Sequence, residues 1–452
     1  MDMNHAEPSY TPICDFVKSY SQSGALRLHM PGHKGRALIG AESLDITEIE
    51  GADVLYHAEG IIRESEDNAL RLFGTARTFY SAEGSSLCIR AMVYLAKLYA
   101  KSRGASPTII AARNAHKTFI TAAALMDINV GWLYSLDNSV LSCKIDLDGL
   151  ERMLASLRPA AVYITSPDYI GNIADIAKIA RLCHKYQSIL MVDNAHGAYL
   201  KFLESSAHPI DLGADIVCDS AHKTLPALTG AAYLHISRTA PDFFADYAEN
   251  ALSVFASTSP SYLILQSLDA VNGLLHKGLA DRIRTSAARA ESLKKRLSEH
   301  GYTLVSHEPL KLAICPKAYG YTGTQLAQIL AQKGIVCEFS DPDFTVMMFS
   351  SETSDRDYAR LEAALFEIPR AEPIDVCPPK LARMETAMPP HEALMSMQEW
   401  IPTTEAEGRI LAGASVSCPP AVPIAVIGER INSSAVRLFE YYGIGKCLVV
   451  KE

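Results

Sequence analysis

No run of apolar residues in this chain approaches the roughly 18–20 that a bilayer crossing needs. A membrane-spanning role is therefore not expected. No long block of one charge sign is present either, and the formal net charge is -9. That balance argues against nucleic acid or an anionic membrane surface as a partner. The ten cysteines (Cys14, Cys88, Cys143, Cys183, Cys218, Cys315, Cys337, Cys377, Cys418 and Cys447) include no C-x-x-C pair. In a chain this long they read as reduced, mostly small core residues. H-E-x-x-H is absent. His29 and His33 have H-x-x-x-H spacing, but Pro31 and Gly32 between them oppose the helix that would align the two rings, so no metal is expected. The first nine residues are polar and carry Asp2 and Glu7, unlike a signal peptide. A cytoplasmic location is the expectation. Internal repeats and low-complexity tracts are also missing.

What is present is an ordinary globular composition, 48% hydrophobic and 21% charged over 452 residues. That length suggests two or three domains. Short apolar strands alternate with helical patterns through the middle of the chain. Strands are expected at 78–81, 108–112, 160–165, 188–192, 215–218 and 230–236, the last of them antiparallel. Helices are expected at 87–101 and 173–186. Such repeats imply a mostly parallel sheet covered by helices on both faces. Residues 259–300 read as long helices, and 302–369 as a smaller α/β layer. Residues 372–390 are Pro-rich and read as a linker, followed by a helix at 392–400 and a strand at 424–427.

In open α/β sheets, ligands sit beyond the carboxyl ends of the strands. The notable polar residues of this chain fall at those ends. Asp193 and Lys223 close two successive strands, 30 positions apart. A partly deprotonated lysine forms an imine with an aldehyde cofactor. An aspartate can keep the pyridine nitrogen of pyridoxal 5′-phosphate (PLP) protonated. Either residue alone has a plainer reading, as a turn former or a solvated cation. Gly84-Ser85-Ser86 opens a helix and offers free N–H groups, hydroxyls and the positive end of the helix dipole to a phosphate. Taken alone it is an ordinary helix cap. Ser220 adds a hydroxyl three residues before Lys223. His116, after another strand, suits stacking on a flat ring. His222 falls beside the reacting centre as a proton donor or carboxylate contact. His196 is expected to support Asp193.

These residues sit in motifs that resemble the prokaryotic ornithine/lysine/arginine decarboxylases, PLP enzymes of the aspartate-aminotransferase fold (fold type I). The motifs are H-M-P-G-H-K-G at 29–35, D-I-T-E at 45–48, H-A-E-G-I-I at 57–62 and E-G-S-S at 83–86. They continue with R-N-A-H-K at 113–117, T-S-P-D-Y-I-G at 165–171 and V-D-N-A-H-G at 192–197. S-A-H-K-T-L-P-A-L at 220–228, S-T-S-P-S-Y at 257–262 and P-P-A-V-P-I…G-E-R-I within 419–431 complete the set.

The resemblance implies an α/β fold: a large PLP domain with a mostly parallel seven-stranded sheet, and smaller α/β parts after it. The implied division is an N-terminal arm (1–40), the large domain (41–285), a small α/β domain (286–370) and a C-terminal decarboxylase-type domain (371–452). It implies decarboxylation of arginine, lysine or ornithine to an amine and CO2, with a place in polyamine biosynthesis. Lys223 would carry PLP as a Schiff base, Asp193 would pair with the ring nitrogen, and His116 would stack on the ring. Ser85, Ser86 and Ser220 would hold the phosphate, with Gly84 in the same turn, and His222 would sit beside the substrate. Ser257 and its neighbours to Ser259 would reach the phosphate of an adjoining subunit, so a homodimer or larger homo-oligomer with sites at the interface is expected. Short family members lack the N-terminal regulatory domain, and this chain resembles those, so rings built through that domain are not expected.

The chain departs from the family pattern at Asn194, where Glu is usual, at Asp168, where Thr is usual, and at Ala58, where Pro is usual. Which basic amino acid is used stays open, with Asp168 and Glu338 as candidates for reading its far end. An aminotransferase or another PLP reaction on the same fold, or a non-catalytic PLP-binding protein, remain the alternatives.

Overall fold

The computed structural model describes residues 9–136, 141–142, 144–414, 417–418 and 422–452. Cys143, the first eight residues and the Pro419-Pro420-Ala421 part of the last motif lie outside that set. A central sheet holds β1 (Arg77–Ser81), β2 (Thr108–Ala112), β3 (Asn129–Leu133), β4 (Ala161–Thr165), β5 (Ile189–Asp193), β6 (Ile216–Asp219) and β7 (Ala232–Ile236). Its order is β1-β7-β6-β5-β4-β2-β3, and only β7 runs against the rest. Seven strands with one reversed is the architecture expected.

Alternation along the strands explains why both faces are covered. Ile110, Val162, Leu190, Val192 and Val217 enter one core, and Ala111, Tyr163, Met191 and Cys218 the other. Strands buried on both sides need such continuous apolar runs. The helix Ile176–Lys185 turns Ile176, Ile179, Ala180 and Cys183 inward, the i, i+3, i+4, i+7 stripe of an amphipathic helix.

Strand β3 was not among the expected elements. Its polar start at Asn129 and its Gly131 weaken the β pattern, and pairing with β2 alone places it at the sheet edge.

The helices Tyr262–His276 and Leu279–His300 lead out of the large sheet. The second runs unbroken across residues 285 and 286, where the sequence divides the large and small parts. A four-stranded antiparallel sheet follows, built from β8 (Thr303–Leu304), β9 (Lys311–Cys315), β10 (Phe339–Ser340) and β11 (Thr345–Met348) in the order β10-β11-β9-β8.

The C-terminal segment corrects two expectations. The helix expected at 392–400 stops at Met395 (Pro390–Met395), and Trp400 lies in β12 (Gln398–Pro402). Residues 424–427 form a bend leading into a turn rather than a strand. The pairing there is between β13 (Ser417–Cys418) and β14 (Val422–Pro423). The last strand, β15 (Lys446–Val450), pairs with β12. Local propensity failed here because the segment borrows its core: Leu411, Ile424 and Phe439 pack with Ala313 of β9 and Val346 of β11. Among the described residues, no helix is long and apolar enough to cross a membrane.

Candidate active site

The carboxyl ends of β2, β4, β5 and β6 open into one cavity of about 410 Å³. Gly84, Ser85, Ser86, His116, Asp193, His196, Ser220, His222 and Lys223 all line it. Nine of the ten proposed site residues therefore meet in one place. The tenth, Ser257, is exposed and does not line this chain's own cavity. Its backbone N–H donates to Glu83 Oε1 at 2.7 Å.

Local structure explains each placement. Gly84 is the first residue of the helix Gly84–Ser102 and has φ +71°, a left-handed conformation that favours glycine. Nothing lies within 4 Å of where its Cβ would be, so the backbone there faces open space. Ser220 caps the short helix Ala221–Thr224, and its hydroxyl donates to Ser85 Oγ at 2.9 Å. The Ser86 hydroxyl lies 3.3 Å from Thr118 Oγ1. Hydroxyls from two elements thus converge at the positive end of a 19-residue helix. His116 caps the helix Lys117–Leu125 by accepting from the Thr118 N–H, which fixes its ring at the cavity wall.

Asp193 Oδ2 accepts from the buried Tyr163 hydroxyl at 3.0 Å, and Oδ1 from the Ala195 N–H at 3.2 Å. Lys223 Nζ lies 3.0 Å from His196 Nε2. His196 therefore meets the lysine, not Asp193 as the sequence suggests. Burial pushes the Lys223 pKa down; nearby Asp193 opposes this and Lys311 adds to it. Burial and the adjacent Lys223 hold His196 well below the ordinary histidine range. His116 and His222 are also lowered, chiefly by burial. The His222 Nδ1 sits 2.9 Å from the Ala231 carbonyl.

Sequence reasoning missed Asn114, Thr165, Tyr169 and Thr229, which also line the cavity. The first two follow or end strands, which was the available signal. Tyr169 donates to Glu338 Oε1 at 3.3 Å, and Glu338 lines the cavity from just before β10. Asp168 does not line it: the side chain is buried and accepts from the Asn172 backbone and side-chain N–H groups, each at 2.8 Å. Asn194 is buried outside the cavity lining and donates to Asp219 Oδ1.

The donor set fits PLP on a direct test. Asn114 Oδ1 and Nδ2, Thr165 Oγ1 and His196 Nδ1 are buried atoms of cavity-lining residues with no hydrogen-bond partner among the described residues. Unpaired buried polar groups are costly, so such a cluster suits a polar ligand. A recessed amine, a carboxylate 30 positions before it and a phosphate-type cradle complete the match. Metal chemistry has less support. His208, Asp219 and His235 form the metal-type cluster found among the described residues, but both imidazoles already hydrogen-bond Asp219. His29 and His33 turn to Tyr20 and Asp45 respectively.

Fold and site together define a PLP-dependent enzyme of the fold type I class. The family model described as "Orn/Lys/Arg decarboxylase, major domain" matches residues 11–309. The arginine decarboxylase of Bacillus subtilis (strain 168) is 30% identical over 461 residues, covering 94% of this chain and 92% of that protein. The arginine decarboxylase of Halalkalibacterium halodurans is 28% identical over 459 residues, with 94% and 91% covered. The Francisella novicida lysine decarboxylase structure superposes with a TM-score of 0.79 at 18% identity, covering 98% of this chain and 81% of that one. The chain belongs to the Orn/Lys/Arg decarboxylase family, whose members are PLP-dependent amino-acid decarboxylases.

Proposed function

We propose that this protein decarboxylates a basic amino acid, arginine, lysine or ornithine, to the corresponding amine and CO2. The carrying observation is the desolvated Lys223 amine, 3.0 Å from His196 and in one cavity with Asp193. Bound PLP supplies the electron sink for the pair left on the α-carbon as CO2 departs.

The chain's own groups do the rest. Lys223 offers its amine to the cofactor aldehyde, and burial favours the neutral form that reaction needs. Asp193, oriented by Tyr163, holds a proton at the pyridine nitrogen. Ser85, Ser86 and Ser220, with the helix N-terminus, bind the phosphate. His116, held at the cavity wall by its bond from the Thr118 N–H, would stack on the cofactor ring. Lys223 would return a proton to the α-carbon, with His222 in the same wall. Glu338, held by Tyr169, accepts the cationic end of the substrate.

A homodimer belongs to the same proposal. Leu26, Leu28, Leu38 and Ile39 in the N-terminal segment are more than four-fifths exposed, which suits burial against a second copy. Ser257 is exposed and does not line its own cavity, as suits a residue serving a neighbour's phosphate. A cytoplasmic location also belongs to it; Cys14, Cys88, Cys183, Cys218, Cys315, Cys337, Cys377 and Cys447 carry free thiols, as a reducing compartment keeps them.

The test is product analysis of PLP-loaded protein given each of the three amino acids. Release of CO2 with equimolar amine is expected from at least one. Transfer of the amino group to a 2-oxo acid without CO2 would overturn the reading in favour of an aminotransferase.

A further inference from the structure

Beside the candidate site in the chain, but outside the cavity lining, four polar side chains are sealed in the core. Asp219, the last residue of β6, is fully buried, as are Asn194, His208 and His235. Asp219 Oδ1 accepts from Asn194 Nδ2 at 2.6 Å. Its Oδ2 lies 2.9 Å from His208 Nε2 and 3.2 Å from His235 Nε2. His208 Nδ1 accepts from the Ile210 N–H, which leaves the Nε2 proton to point at Asp219. His235 Nδ1 meets Thr78 Oγ1 at 2.9 Å, and the Phe73 ring closes the cluster 4.4 Å from the His235 ring. Burial works against the Asp219 charge, but His208 and His235 outweigh it and hold the carboxyl well below its usual range.

None of these four groups lines the cavity. Their value lies in the chain positions they join. Asn194 directly follows Asp193, and Asp219 directly precedes Ser220 and stands four residues before Lys223. The backbone repeats the link: the Asn194 N–H donates to the Cys218 carbonyl at 2.9 Å. The Asn194 amide packs closely against Gly197: a Cβ at Gly197 would meet Asn194 Oδ1 at 2.0 Å and Cγ at 2.8 Å.

We propose that Asn194 and Asp219 are a matched amide–carboxylate pair of positioning residues that sets the spacing between Asp193 and the Ser220–Lys223 turn. The inference rests on the reading of Asp193 and Lys223 as the cofactor's ring and aldehyde partners. Amide and carboxylate are nearly the same size, so packing alone is indifferent to exchanging them. Charge is not: Asn194→Asp sets two carboxylates against each other where a 2.6 Å hydrogen bond now lies. Exchanging both residues restores complementarity. In Asn194→Asp with Asp219→Asn, the new amide donates back to position 194 and its oxygen still accepts from the two imidazoles.

The experiment compares wild type, Asn194→Asp and the double exchange. Each apoprotein is titrated with PLP, reading the dissociation constant and the absorbance maximum of the bound cofactor. Asn194→Asp is expected to bind PLP at least about tenfold more weakly with a shifted maximum, the free-energy equivalent of about one charged hydrogen bond. The double exchange is expected to return both values to wild type. Wild-type binding and spectrum in Asn194→Asp would overturn the proposal. So would a double exchange that fails to fold, or that folds and still binds PLP as weakly as the single variant. If Asn194→Asp itself does not fold, a folded double exchange with wild-type binding supports the pairing. Lys223→Ala run alongside reports separately on the lysine: loss of the bound-cofactor band in that variant alone leaves the two questions distinct.

Discussion

Lys223 Nζ stands 3.0 Å from His196 Nε2, so the candidate aldehyde-binding amine is partnered by a neutral imidazole instead of a carboxylate. Burial lowers both pKa values, and neither group gains by holding a charge beside the other. That arrangement keeps the amine available.

A pH dependence follows from the sign of that shift. A protonated Lys223 cannot attack an aldehyde, so the rate of PLP capture by apoprotein rises as pH rises through the lysine's pKa. Because that pKa lies below the ordinary 10.5, the rise is complete earlier than for a free lysine side chain. Stopped-flow absorbance of apoprotein mixed with PLP checks this. A midpoint at or above 10.5 would contradict the desolvated setting of Lys223. Lys223→Ala should lose both the capture phase and turnover.

Tyr163 gives Asp193 a donor 3.0 Å away in a fully buried setting. Tyr163→Phe removes that donor and little else. A hydrogen bond to a charged group contributes about 1.5–3 kcal/mol, so kcat should fall about 10- to 100-fold. Asp193→Ala should fall further while still capturing PLP through Lys223. Equal kcat for wild type and Tyr163→Phe would remove Tyr163 from the account.

Glu338 supplies the third prediction. If it accepts the substrate's cationic end, Glu338→Gln keeps the shape and loses the charge. KM for the preferred basic amino acid should rise about 10- to 100-fold, with a smaller change in kcat. Unchanged KM would move recognition elsewhere in the cavity.

Much of this was legible in the sequence, for a definable reason. Asp193, Lys223, Gly84 and His116 sit at strand ends, and a parallel sheet brings strand ends together whatever the helices between them do. The apolar runs of β2, β4, β5 and β6 are buried on both faces, so their pattern does not depend on distant partners. What failed depended on distant partners. The helix expected through Trp400 ends early because β12 pairs with β15, 48 residues later at Trp400–Leu448. Nearness in sequence ties His196 to Asp193, yet the turn after β5 brings its Nε2 to 3.0 Å from Lys223 Nζ. Asp168 looked free, but Asn172 occupies both of its carboxylate oxygens.

Arg113 carries the last prediction. It follows β2 and is buried, with its guanidinium donating to the Pro423 carbonyl at 2.9 Å and the Ile424 carbonyl at 2.8 Å. Glu429 Oε2 lies 3.3 Å away in the same interior. Val422, the residue before Pro423, lines the cavity, so this one side chain ties the C-terminal segment to the site wall. Arg113→Ala leaves Glu429 buried without its cation, and breaking a buried pair from one side costs about 3–5 kcal/mol. Urea unfolding should show that loss. Arg113→Met with Glu429→Leu should recover much of the stability, because no lone charge remains. It should not recover KM, since the carbonyls of Pro423 and Ile424 would still lack the donors that hold Val422 in place. A double variant with both wild-type stability and wild-type KM would show that the Arg113 contacts to the C-terminal segment are dispensable for the site.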